Sequence, residues 1–156
     1  MDIEKTIRGY DLFRSLNVNE MNDVSKYSST KSFKKGENIF DFNGASSHVY
    51  MLLEGTVYLR LPGKMPDFSL IISHIHKGEL FGLSPLLDSP RYTATAQCAE
   101  DTKALSIEAK PFRELLKKNY PVGFDIINQV ARIYYNRYIH VLKNLQDIVD
   151  QIPLIR

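Results

Sequence analysis

The chain has 156 residues, 44% of them hydrophobic and 24% charged, enough for one domain with its own core. Lys plus Arg number 20 against 18 Asp plus Glu, a net charge of +2, which argues against a surface built to neutralise nucleic-acid backbone. The single Cys98 excludes an internal disulfide and a cysteine-rich zinc site. The opening MDIEKTIRGYDLF lacks the apolar core of a signal peptide, and no apolar run is long enough to cross a bilayer. One cytoplasmic domain over residues 1–156, with no membrane contact, is the expectation.

Residues 1–30 read as helical. Ile3, Ile7, Tyr10 and Leu12-Phe13 recur near helical spacing, with Gly9 in the middle. Asn19 is placed to cap a second short helix with Met21, Val24 and Tyr27 on one face. From Ser32 the pattern changes, and residues 31–109 carry short apolar runs separated by turn residues. The candidate strands are Asn38–Phe42, Val49–Leu53, Thr56–Leu61, Ser69–Ile75, Thr93–Ala99 and Lys103–Ile107. Short strands at this spacing predict an antiparallel sandwich or barrel.

Residues 110–156 turn helical again. A short helix over Lys110–Asn119 is stopped at Asn119-Tyr120-Pro121, because proline disfavours helical geometry in the residue before it. A longer helix runs from Pro121 to about Gln151. Its apolar residues Ile127, Val130, Tyr134, Tyr138, Val141, Leu145, Ile148 and Ile152 are spaced 3, 4, 4, 3, 4, 3 and 4, a heptad-like seam. The seam either lies across the barrel or pairs with a second copy. Pairing over residues 122–152 is favoured, because so long a helix cannot bury its whole seam on a small barrel.

His74 and His76 project from one strand face and resemble a pair of metal ligands. No third ligand follows at the spacing such a roll requires, since only Lys77-Gly78 separates His76 from Glu79, and no metal is expected. His74, His76 and Cys98 are the residues that could ligate haem. No nucleophile–base spacing, phosphate-loop lysine or paired carboxylate appears, so an enzyme is not expected.

The run Lys35-Gly36-Glu37-Asn38-Ile39-Phe40, Asn43-Gly44 and Val49-Tyr50-Met51-Leu52-Leu53-Glu54-Gly55-Thr56-Val57 resembles the β-roll of cyclic-nucleotide-binding domains of the CRP/FNR regulator type. Leu12-Phe13 with Leu16 is similar to that family's first helical segment. Gly78-Glu79-Leu80-Phe81-Gly82, then Leu86-Leu87-Asp88, Pro90-Arg91 and Ala94-Thr95, resemble its phosphate-binding cassette, here residues 78–95. Pro111-Phe112 and Gln129-Val130-Ala131-Arg132 resemble its closing helices. The resemblance implies an α+β fold: an antiparallel β-roll (double-stranded β-helix jelly roll) flanked by N-terminal helices and a long C-terminal helix.

In the family, helix-start N–H groups and one arginine hold the cyclic phosphate, and one glutamate accepts from the ribose 2′-hydroxyl. The resemblance therefore implies a cyclic AMP or cyclic GMP site, or a site for another anionic effector. Its candidate residues are Gly82, Leu83, Ser84, Arg91, Tyr92 and Thr93, with Tyr135, Arg137 and Tyr138 from the long helix. Two departures stand out. Leu83 takes the place of the ribose glutamate, and a gapless alignment puts Tyr92 where the phosphate arginine belongs, whereas a one-residue shorter loop puts Arg91 there.

The implied function is a regulatory module that binds a small effector and signals through its C-terminal helix to a protein partner. The alternatives are the sensor half of a transcriptional regulator and a scaffold that has lost its ligand. After Ile148 eight residues remain, too few for a winged helix-turn-helix. A stand-alone domain that does not read DNA directly is the expectation.

Overall fold

The structure, a computed structural model, describes residues 3–65 and 67–152. Helix α1 (Ile3–Arg8) leads into a 3₁₀ turn at Asp11–Phe13, and α2 covers Val18–Lys26. Asn17, not Asn19, caps α2. Its Oδ1 accepts from Glu20 N at 3.0 Å, while Glu20 Oε2 accepts from Asn17 N at 2.9 Å, a complete capping box. The expectation missed the acidic residue three positions after Asn17, which selects the cap.

Eight strands follow: β1 Ser28–Phe33, β2 Asn38–Phe40, β3 His48–Glu54, β4 Val57–Pro62, β5 Ser69–Ile75, β6 Leu80–Phe81, β7 Thr95–Cys98 and β8 Thr102–Glu108. They form two antiparallel four-stranded sheets, ordered β1-β8-β3-β6 and β2-β7-β4-β5. The roll begins four residues before Ser32, because β1 (Ser-Ser-Thr-Lys-Ser-Phe) is a polar edge strand with no apolar alternation to mark it. Thr93 and Ala94 fall outside β7, in the arm that brings the chain back from the cassette.

Strand β3 is buried on both faces, and its alternation divides the core. Val49, Met51 and Leu53 join Leu105 and Ile107 of β8 beneath the helices, where Phe13 and Phe112 meet at 6.4 Å between ring centres. Tyr50 and Leu52 point the other way, between the sheets, with Leu59, Ile75, Phe81 and Tyr92. The pairing Val49↔Ile107 and Met51↔Leu105 keeps both strands in this register.

Helix α3 (Ala109–Lys118) and α4 (Tyr120–Asp150) are separated by Asn119 alone, which caps α4 by accepting from Val122 N at 3.4 Å. A Cβ at Gly123 would stand 2.4 Å from the Leu116 carbonyl oxygen, so glycine permits this close turn between the helices. Val122, Ile126 and Val130 bury the first half of α4 against the roll. The predicted seam therefore divides. Val130 faces the core, whereas Ile127, Leu145, Ile148 and Ile152 are exposed. The exposed apolar stripe runs through Phe124, Ile127, Ala131, Tyr135, Tyr138, Leu142, Leu145, Val149 and Ile152, spaced 3, 4, 4, 3, 4, 3, 4 and 3. Among the described residues no helix is long and apolar enough to cross a membrane.

Candidate functional site

Strand β6 ends at Phe81, and the backbone turns at Gly82 with φ of +64°. A Cβ at Gly82 would lie 2.9 Å from Phe40 Cε1 and 3.0 Å from Tyr50 Cδ2, so the residue is glycine for both conformation and space. A 3₁₀ turn, Ser84–Leu87, then begins with Pro85 in its first turn. It ends at Asp88 in the left-handed region, φ of 60°. Asp88 pairs with Arg113 of α3, and that hydrogen bond holds the Asp88 carboxyl below its ordinary value.

The chain returns along Pro90-Arg91-Tyr92, pairing with the segment before β3. Tyr92 N donates to Gly44 O at 2.9 Å, and Asn43 N donates to Tyr92 O at 2.9 Å. Alternation then sends Arg91 and Tyr92 to opposite sides. The buried Tyr92 ring stacks on Phe40, with 3.9 Å between ring centres and 18° between planes. Its hydroxyl donates to His48 O at 2.7 Å and accepts from His48 N at 3.2 Å. Burial, more than the neighbouring Tyr92, pushes the Tyr50 phenol up.

These elements enclose a cavity of about 240 Å³ between the roll and α4. Phe40, Leu59, Tyr92 and Ala94 line it from the roll, Gly82, Leu83 and Ser84 from the cassette, and Tyr134, Arg137, Tyr138 and Val141 from α4. Arg137 Nη2 donates to Leu80 O at 2.7 Å. Burial pushes the Arg137 guanidinium below its ordinary value, with Tyr134 and Glu79 opposing.

A second, larger cleft of about 860 Å³ lies on the other side of Arg137, against Tyr10, Asp11, His74, Glu79 and His140. Ile72, Ser73 and Arg137 border both spaces.

Seven of the nine residues expected at the site, Gly82, Leu83, Ser84, Tyr92, Thr93, Arg137 and Tyr138, converge on the smaller cavity. Two do not. Arg91 is exposed and donates through Nη1 to Asn43 O at 2.7 Å, outside both spaces. Tyr135 is exposed on the far side of α4 and borders neither space. Sequence reasoning missed Phe40 and Leu59, for which only the inward alternation of β2 and β4 was a signal, and Val141, which it assigned to a seam.

His74 leans its ring on Tyr58, 4.7 Å between centres, and Cys98 is buried between the sheets with its thiol pushed up by that burial. Among the described residues no group of three or more His, Cys, Asp or Glu gathers as metal ligands would.

Residues 30–119 match the family model described as the cyclic nucleotide-binding domain. The cyclic AMP receptor protein of Thermus thermophilus is 26% identical over 129 residues, covering 81% of this chain and 58% of the relative. The cAMP-dependent protein kinase regulatory subunit of Debaryomyces hansenii is 29% identical over 119 residues, covering 74% of this chain and 25% of the relative. This chain thus spans less than two thirds of the length of either. A provisionally assigned cyclic nucleotide-binding protein of Geobacter metallireducens superposes with a TM-score of 0.74 at 28% identity, covering 88% of this chain and 99% of that one.

Proposed function

The chain belongs to the cyclic nucleotide-binding domain family, and from that premise we propose that it is an effector-binding regulatory module in which a small ligand fixes the placement of α4. The observation that carries this reading is the two-body construction of the cavity. One wall is the roll with its cassette, and the other is Tyr134, Arg137, Tyr138 and Val141 of α4. A ligand touching both walls favours one position of the helix over others.

The exposed stripe on α4 supports the second half of the proposal. Its alternating spacing of three and four is that of a two-stranded coiled coil, and an identical helix is the partner such a stripe fits. A homodimer through residues 122–152 would carry a ligand-dependent shift of α4 to whatever protein engages it. Cyclic AMP and cyclic GMP are the first effectors to test.

The test is a thermal-shift panel of cyclic AMP, cyclic GMP, haem and small organic carboxylates. It is followed by hydrogen exchange of the α4 amides over residues 134–141 with any compound that binds. A native-state ligand raises the melting temperature, by about 2.7 kcal/mol of stabilisation at a hundred times its Kd, and should slow exchange in α4. A bound ligand that leaves α4 exchange unchanged would refute signalling through the helix. A second reading, a scaffold without a ligand, is favoured by the Tyr92–Phe40 stack that fills the side of the cavity next to the arm. An absence of any shift across the panel would establish it.

A further inference from the structure

We propose that the effector is a small carboxylate with an apolar body, its carboxylate held by Arg137 and its body seated against Tyr92, Leu59 and Val141. This rests on the reading above, that a ligand lies between the roll and α4, and names what that ligand is.

The cavity's chemistry is one-sided. Among the described residues, Arg137 is the one charged side chain that borders it, and no carboxylate or lysine does. Nor does Arg137 have an ion-pair partner. Of the described acidic groups, none lies within salt-bridge contact of it. Its one hydrogen bond, to Leu80 O, uses one of five guanidinium N–H donors. Glu79 acts on the guanidinium from beyond contact distance. A largely buried cation without a paired counter-charge is expensive, and an anion delivered by the ligand offsets that cost. The planar fork suits a carboxylate bidentately.

The rest of the lining selects against a nucleotide. The hydroxyl of Tyr92 is committed to both backbone groups of His48, and Arg91 is turned out toward Asn43. Leu83, which is 2% exposed, has no acceptor for a ribose hydroxyl. What remains on the roll side is mostly aromatic and aliphatic surface, in a volume of about 240 Å³, below the roughly 300–1,000 Å³ of sites for larger ligands. A short aromatic or aliphatic chain fits that description. The position of Arg137 sets the orientation. It borders both the cavity and the larger cleft, so the carboxylate lies where the two spaces meet and the apolar end against Tyr92, Leu59 and Val141.

The test compares acid and amide pairs by calorimetry on the wild-type chain: 3-phenylpropionate with 3-phenylpropionamide, and octanoate with octanamide, alongside cyclic AMP. The expected result is binding of an acid at least about tenfold tighter than that of its amide, the factor expected for hydrogen bonds to a charged group. Arg137→Gln should remove that difference, and Arg91→Ala should leave it intact. The acid–amide comparison needs no variant, so it decides even if Arg137→Gln folds poorly. Equal binding of acid and amide would overturn the assignment. Cyclic AMP binding that survives Arg137→Gln would overturn it too, while leaving the regulatory reading in place. If neither the acids nor cyclic AMP bind at millimolar concentration, both the assignment and the regulatory reading fall.

Discussion

The Tyr92 ring lies flat on Phe40, 3.9 Å between centres, while its hydroxyl grips both backbone groups of His48. One side chain thereby joins the arm leaving the cassette, the short strand β2 and the start of β3. The same contact determines what its neighbour does. With Tyr92 turned inward, the extended arm leaves Arg91 outward, where it can reach Asn43 O and not the cavity.

Replacing Tyr92 by Phe keeps the stack and removes both hydrogen bonds. It leaves the His48 N–H and C=O without the phenol in a part-buried position, which costs about 1–3 kcal/mol. For a chain of this size each kcal/mol lowers the melting temperature by about 2–4 °C. Calorimetry should show a drop of a few degrees, and an unchanged midpoint would mean that water replaces the phenol at no cost.

The two departures from the family cassette are testable as a pair. Leu83→Glu with Tyr92→Arg restores an acceptor for the ribose and a cation beside the cassette. Each substitution puts a charge where the structure buries an uncharged side chain, so the double variant should be less stable than the parent without ligand. It should also bind cyclic AMP at least about tenfold tighter than the parent, from the added charge-assisted hydrogen bonds. A double variant that folds yet gains no affinity would show that the cavity's shape, not these two residues, sets its ligand.

The roll was legible because β3, β4, β5 and β8 carry long apolar runs bounded by turns, whereas β1 and β6 were not. β1 is a polar edge strand, and β6 is two residues long and reads as part of the cassette. Most of the site was legible as an ordered set of short motifs. The orientation of Arg91 and Tyr92 was not, because it depends on the pairing of Tyr92 with Gly44 and Asn43, more than forty positions away in sequence. The apolar pattern of α4 has the spacing of one seam, but two faces share it. Val130 and Tyr134 turn to the roll, and Tyr135, Leu142 and Val149, each one residue from a seam position, complete the exposed stripe. Periodicity alone cannot separate faces that close together.

His48 gives the fold a pH dependence of definite sign. Burial first, and then the charge of Lys31, hold its imidazole below the ordinary value, with Glu108 opposing. The unfolded chain therefore takes up the His48 proton at higher pH than the folded chain does. This contribution to stability is complete above the unfolded value of about 6.5 and is lost as the pH falls from there toward the lowered folded value. Urea midpoints measured between pH 7.5 and 5.5 should fall more steeply for the wild type than for His48→Gln. Parallel slopes would assign the pH dependence to other groups.

The two faces of α4 predict opposite responses to the same kind of substitution. Leu142 and Leu145 are exposed on the stripe and border neither the cavity nor the core. If the stripe pairs two chains, Leu142→Glu with Leu145→Glu places like charges in the seam. It should convert a dimer at micromolar concentration to a monomer by light scattering, while the far-ultraviolet dichroism and ligand binding of the roll persist. Val130 is 1% exposed and packs in the core beneath the helices. Val130→Glu buries an unpaired carboxylate, a penalty of several kcal/mol for a charge without a partner. It should lower the melting temperature sharply at any protein concentration. A wild-type chain that is already monomeric would leave the exposed stripe without the second copy assigned to it.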